Sequence, residues 1–281
     1  MASITTAMAA VSAWAFVGGA ALAQETLAGK PTPGGINLQR PVTPIAAEME
    51  WMDDFLLVII AAITLFVTAL LAYTVWRYHV SNNPNPPARF THNAKVEVLW
   101  TAIPVLILVV IAVPSLRLLF NQLDIPEPDV TIKATGYQWY WGFEYPEHDI
   151  DFTAVMLERD QLEEYGYQPD EYRLATDEKL VVPVNANVHL LATAGDVIHN
   201  FAMPSFGLKV DSIPGRLNEA WFRATEEGTY FGQCSELCGI NHAFMPITVE
   251  VVSQEEYDAW IAERVAERGG EPEGDTRVAQ K

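Results

Sequence analysis

Only two cysteines occur in the 281 residues, which excludes the multi-bridge disulfide framework of small secreted domains. The pair, Cys234 and Cys238, is not part of a C-x-x-C-H motif, so covalent haem attachment is excluded as well. Positive charge is scarce. Seventeen bases stand against 36 acids, a formal net charge of −19. So acidic a chain repels nucleic acid, and its natural partner is basic. The imbalance is not uniform. Residues 1–120 hold six acids and six bases, whereas residues 121–281 hold 30 acids and 11 bases. All the net charge therefore lies after Phe120. With 50% hydrophobic residues overall, the chain reads as an apolar part followed by an acidic part. No internal repeat is present.

Charge is also missing from two long stretches. Phe55 to Trp76 is 22 residues without a charge, and Val98 to Leu116 is 19. About 20 apolar residues cross a bilayer core as a helix, so two spans are predicted, at 55–76 and 98–120. Trp51, Trp76, Trp100 and Phe120 mark their edges as interfacial aromatics. Pro104 and Pro114 fall inside the second span, where membrane helices tolerate them. The connecting loop, 77–97, carries Arg77, Arg89 and Lys95 and no acid before Glu97. The outer flanks carry Glu48, Glu50, Asp53 and Asp54, then Asp124, Glu127 and Asp129. The positive-inside rule places that loop in the cytoplasm and both termini outside. Residues 1–23 end in Ala21-Leu22-Ala23 and read as a secretory signal peptide, although no Lys or Arg precedes Lys30. Residues 24–54 form an outer N-terminal segment.

From Val130 the pattern changes to short β-rich runs: Val130–Tyr145, Leu180–Ala194, Ala220–Ala224, Thr229–Gln233 and Ile247–Val252. Many short strands in about 130 residues predict an all-β sandwich or barrel over 121–268. Gln254–Arg268 reads as a polar helix and 269–281 as a disordered tail. His189 reads as a strand residue and His148 as an exposed loop residue.

The densest chemistry is GQCSELCGINHAFMP, residues 232–246, with Cys234, Cys238, His242 and Met245 inside twelve positions; His199 stands 35 residues before Cys234. Two thiols so close also suit a disulfide, and two Cys with two His suit zinc. A lone Met is commonly core filler. Taken together, thiolates, imidazoles and a thioether favour copper. A mononuclear blue-copper site needs only one Cys. The second thiolate allows two coppers to share bridging sulfurs. His199 and His242 then supply one imidazole each, Met245 one weak axial ligand, and the carbonyl of Glu236 the other. No coordination position is left open, so the centre suits electron transfer rather than oxygen chemistry.

At these residues the chain resembles cytochrome c oxidase subunit II of the mitochondrial and alphaproteobacterial type. The resemblance covers roughly 45–260 and is carried by GYQWYW at 136–141, IHNFAMPSFGLKVDSIPGRLN at 198–218 and the metal loop. It implies a helical hairpin plus a cupredoxin-like barrel in the inner membrane of a bacterium, with the barrel periplasmic. It implies binuclear copper on His199, Cys234, Glu236, Cys238, His242 and Met245. It gives the Glu236 side chain to a magnesium shared with the haem-bearing subunit I. It makes Trp139 the electron-accepting residue beneath docked cytochrome c, and Glu97 a residue of proton uptake into subunit I. The loop at 145–175 is longer than in the mitochondrial form. The acids Glu144, Asp149, Asp177 and Asp196 are candidates for docking a basic cytochrome c.

Overall fold

The computed structural model describes residues 29–83, 86 and 89–267. The signal-like segment 1–23 and the tail 269–281 lie outside the described residues. The chain divides into two compact units, one over Ile45–Pro126 and one joining the N-terminal segment to Glu127–Lys281.

The first unit is a pair of long helices, α1 (Pro44–Tyr78) and α2 (Ala94–Leu123). Their most apolar windows have mean hydropathies of 2.9 and 2.6, and none of either window is buried inside the chain. Such surface is stable only against lipid or other proteins. Both helices overrun the apolar runs. Once nucleated, a helix continues until a cap or breaker stops it, and polar residues at the bilayer edges propagate it as well. Pro44 opens α1 at a position where a missing N–H costs nothing. At its far end the Asn82 amide donates to the Trp76 carbonyl at 2.8 Å. Asn93 caps α2 by accepting from the N–H groups of Lys95 and Val96, while its own N–H donates to Glu97 Oε1 at 3.1 Å. The Asn121 amide donates to the Glu48 carboxylate, linking the two helices at 2.9 Å.

The second unit holds two five-stranded sheets, an all-β domain as the short-strand pattern predicts. In chain order the strands are β1 (Val130–Tyr137), β2 (Tyr140–Tyr145), β3 (Ile150–Ala154), β4 (Leu180–Pro183), β5 (Val188–Ala194), β6 (His199–Met203), β7 (Leu208–Ser212), β8 (Asn218–Phe222), β9 (Gly228–Cys234) and β10 (Pro246–Val252). One sheet runs β3-β2-β1-β5-β8 and the other β4-β10-β9-β6-β7. Alternation explains the inward faces: Val188, Leu190, Ala192 and Ala194 of β5 are buried, while His189, Leu191 and Thr193 are not. Ile132, Trp141, Phe143 and Leu190 from the first sheet share one core with Phe201, Met203, Ile247 and Val249 from the second. The Tyr145 hydroxyl donates to Val181 O at 2.6 Å and accepts from Val181 N at 3.0 Å, stapling β2 to β4 across the two sheets. The helix α3 (Gln254–Glu267) buries Tyr257 and Ile261 and brings Trp260 to 5.2 Å from Tyr145. His189 lies on an outer face, paired with Glu219 at 3.0 Å, and His148 is exposed in the β2–β3 turn.

Two features differ from the expectation. The run Val130–Tyr145 is a hairpin turning at Gln138–Trp139. Leu180–Ala194 is two strands in different sheets. Strands β3, β6 and β7 escaped the sequence pattern; β6 is buried at every position and shows no alternation. The long loop at 145–175 has a core of its own: Leu157, Leu162, Tyr167 and Ala175 gather on Phe231 of β9. Residues 29–43 are also a strap on this unit. Phe231 N donates to Gly29 O at 2.8 Å, Val42 N to Ser205 O at 2.9 Å, and Thr225 N to Val42 O at 2.9 Å. Gly29 has φ +81°, and a Cβ there would lie 2.4 Å from Thr229 O, so no other residue fits.

Candidate metal centre

The site is assembled at one end of the sheets by three connections. They are the β1–β2 turn at 138–139, the residues leading into β6, and the loop from β9 to β10. His199 opens β6 and is completely buried, its ring edge-on to Trp141 with centroids 6.1 Å apart. Gly136 makes this possible. A Cβ there would fall 2.7 Å from His199 Cδ2. Cys234 closes β9, and Cys238 follows in the loop; both are buried free thiols.

The donor atoms converge. Cys234 Sγ lies 3.8 Å from Cys238 Sγ and 3.8 Å from His199 Nδ1. These three donors lie within 4.8 Å of one another. His242, in a single 3-10 turn, puts its Nδ1 3.6 Å from Cys238 Sγ. The Glu236 carbonyl lies 3.3 Å from Cys234 Sγ, while the residue itself is exposed. Met245 is buried at 1% exposure, and its carbonyl accepts from Cys234 N at 3.0 Å. A disulfide requires about 2.05 Å between sulfurs, so the pair is two separate thiols. A spacing of 3.8 Å is about the edge of a tetrahedron with metal–sulfur bonds near 2.3 Å.

Charge is arranged for metal binding. Burial opposes ionisation of Cys234, but hydrogen bonds from His199 and the loop backbone outweigh it and lower its pKa to about 6. Burial and the charge on Cys234 push Cys238 up to about 12. A metal taking both sulfurs must therefore displace a proton. Burial also opposes protonation of His199, yet the Cys234 thiolate and the Asp196 carboxylate raise its pKa above the usual value. His199 Nε2 meets Asp196 Oδ1 at 2.9 Å. That contact reserves Nε2–H for the carboxylate and leaves Nδ1 facing the sulfurs, where a metal that displaced its proton would take the lone pair.

Trp139 reaches the same loop. Its indole Nε1–H donates to Cys238 O at 3.3 Å, and Gln138 Nε2 donates to that carbonyl at 2.8 Å. Gln138 carried no distinguishing signal in the sequence beyond its place in the aromatic run.

Of the four candidate docking acids, only Asp196 joins the site. Besides His199, its carboxylate accepts from Gln138 N at 2.7 Å and Val197 N at 2.6 Å. The other three lie elsewhere on the domain. Glu144 pairs with Lys133 at 2.8 Å near the far end of β2. Asp149 lies in the next turn, about 20 Å along the sheet from Trp139 at strand spacing. Asp177 accepts from Val155 N at 2.7 Å and Glu178 N at 2.8 Å. For Glu144 and Asp149 the reason is topological: β2 runs away from the 138–139 turn, whereas β3 returns and sets Val155, and with it Asp177, back near Trp141. Glu97 belongs to the other unit, at the capped start of α2.

Comparison with known proteins places the chain in a family. Residues 130–252 match the family described as cytochrome C oxidase subunit II, periplasmic domain, and residues 31–118 match its transmembrane domain. A relative named cytochrome c oxidase subunit 2, from Cereibacter sphaeroides, is 53% identical over 256 residues, covering 86% of this chain and 83% of its own. A probable cytochrome c oxidase subunit 2 from Rickettsia felis is 51% identical over 239 residues, covering 84% and 74%. The crystal structure of the periplasmic domain of subunit II of cytochrome oxidase from Bradyrhizobium japonicum is 46% identical; the match covers 51% of this chain and 98% of that one, with a TM-score of 0.46. With two membrane-spanning helices and a cupredoxin-like β domain, each matched along most of its length, the chain belongs to the cytochrome c oxidase subunit II family.

Proposed function

We propose that the chain accepts electrons from cytochrome c at a binuclear copper centre and passes them to the haems of subunit I, where oxygen is reduced and protons are translocated. The observation that carries the reading is the donor count around two sulfurs 3.8 Å apart. His199 Nδ1, Cys234 Sγ, Glu236 O, Cys238 Sγ and His242 Nδ1 are five donors, too many for one tetrahedral ion, and the buried Met245 of the same loop would be a sixth. Shared between two ions, they would give each ion the two sulfurs, one imidazole and one weak ligand. A thioether and two thiolates favour copper over zinc.

Copper bound there supplies one-electron chemistry, with the charge spread over two ions through the sulfurs. The chain's own residues do the rest. Asp196 fixes the His199 tautomer, β6 and β9 set the ligand spacing, and Trp139 carries the path from the surface to Cys238. The filled ligand set leaves oxygen no place to bind on this chain. The exposed Glu236 side chain is available to a magnesium at the contact with subunit I. Glu97, at the loop end of α2, serves proton uptake into that subunit. The basic loop sits in the cytoplasm of a bacterium, and both termini are periplasmic after removal of residues 1–23. Asp196 lies where a basic cytochrome c would meet Trp139; Glu144, Asp149 and Asp177 act through the field of the whole domain.

Copper titration of the full-length chain in detergent tests this reading. The expected result is two coppers per chain, an intense visible thiolate-to-copper colour and one unpaired electron shared by both ions. One copper, or colourless zinc, overturns it.

A further inference from the structure

The turn between β1 and β2 is fastened to the metal loop by a residue with no assigned task. The Gln138 backbone N–H donates to Asp196 Oδ2 at 2.7 Å, and its side-chain Nε2 donates to Cys238 O at 2.8 Å. The Trp139 indole donates to the same carbonyl at 3.3 Å. Gly239 follows Cys238 with φ +121°, and a Cβ there would lie 3.0 Å from both Gln138 Nε2 and Trp139 Cζ2. The bare glycine lets both side chains close on the peptide.

We infer that Gln138 is a positioning residue for electron transfer, holding the Trp139 indole against the Cys238 carbonyl so that Cys238 is the ligand through which electrons arrive. This rests on the function proposed above. A carbonyl has two lone pairs, and here both are taken. The Gln138 contact lies within the usual range for N–H···O, whereas the indole contact is longer than that range. The glutamine therefore sets the geometry and the indole follows it. Gln138 is also tied to the other half of the ligand set, because Asp196 holds Gln138 N with one oxygen and His199 Nε2 with the other. Although the residue is exposed, its side-chain amide is committed to the carbonyl of the buried Cys238. In the step itself, one electron leaves reduced cytochrome c and one is gained at the metal centre. No bond forms or breaks, no proton moves, and Trp139 ends unchanged.

The test uses Gln138→Leu, with the near-isosteric Gln138→Glu as a second variant in case the first folds poorly; neither can donate to Cys238 O as glutamine does. In the metal-free full-length chain, hydroxyl-radical oxidation of Trp139, read by mass spectrometry, should rise about fivefold, the weight of one neutral hydrogen bond. In the assembled oxidase, stopped-flow mixing with reduced cytochrome c should show the saturating rate falling about tenfold, the scale on which small misplacements act. KM and copper content should stay unchanged. A raised KM with an unchanged saturating rate would make Gln138 a docking residue and overturn the inference. So would unaltered Trp139 oxidation. If the parent chain binds no copper, the proposed function falls and this inference with it; copper present with a normal saturating rate in both variants removes only the inference.

Discussion

At the scale of single residues, the ligand set divides by how it was encoded. Cys234, Cys238, His242 and Met245 lie in one loop, so their spacing alone announced them. His199 is 35 residues upstream and was legible only through the chemistry it completes. Its partner Asp196 was legible as an acid but not as the group that fixes the imidazole, because that contact depends on the turn before β6. Replacing Asp196 with Ala should weaken copper binding by about 10- to 100-fold, the usual cost of removing such a support. Competition with a calibrated chelator measures it, and an unchanged affinity would leave Asp196 only a docking role. Cys238→Ser should abolish the shared-electron signal in EPR even if one copper stays, since a lone sulfur cannot bridge two ions symmetrically. Glu236→Gln should retain copper through the backbone carbonyl and weaken the magnesium contact. Loss of all copper in that variant would identify the side chain as the ligand.

At the scale of elements, α3 and strands with inward alternation such as β5 were readable, whereas β3, β6 and β7 were not. The Tyr145 staple shows what pattern alone could not give. Tyr145 was visible as a strand residue, but its bond to Val181 joins two sheets and exists only after they pack. Tyr145→Phe leaves a buried N–H and C=O of Val181 without this partner and should cost about 1–3 kcal/mol in denaturant unfolding. Burial also pushes the Tyr145 phenol well above its ordinary value. The unfolded chain therefore loses that proton first as pH rises past about 10, and stability should fall there with pH. Tyr145→Phe should flatten that alkaline decline; an unchanged slope would assign it to other groups.

At the scale of the whole molecule, the −19 charge acts through its summed field. Such fields raise encounter rates with a basic partner by roughly 10- to 1,000-fold at low salt. The Debye length falls from about 30 Å to about 10 Å between 0.01 and 0.1 M salt, so the gain should fade over that range. Turnover insensitive to ionic strength would end the electrostatic docking account. Because Glu144 and Asp149 stand apart from Trp139, neutralising them should move the association rate and not the rate within the complex, whereas Trp139→Gln should do the reverse. Membrane orientation is tested separately. A reporter fused after Lys281 should be active only outside the cytoplasm, and one inserted near Asn85 only inside; swapped activities would refute the loop-charge argument.

The sequence by itself determined the two spans, the acidic β domain and the identity of the metal-loop donors. Each of these is written in local composition: charge-free runs long enough for a bilayer, alternation with a period of two, and four soft or borderline donors within twelve residues. Only the tertiary structure decided which atoms face one another. It brought His199 Nδ1 to the sulfurs by committing Nε2 to Asp196. It folded residues 29–43 over the sheets as a strap. It sent Glu144 and Asp149 to the far end of β2 while bringing Gln138 and Trp139 onto Cys238. These outcomes depend on strand order and register, which couple residues from 35 positions apart (His199 and Cys234) to 202 (Gly29 and Phe231) and leave no periodic trace in the chain.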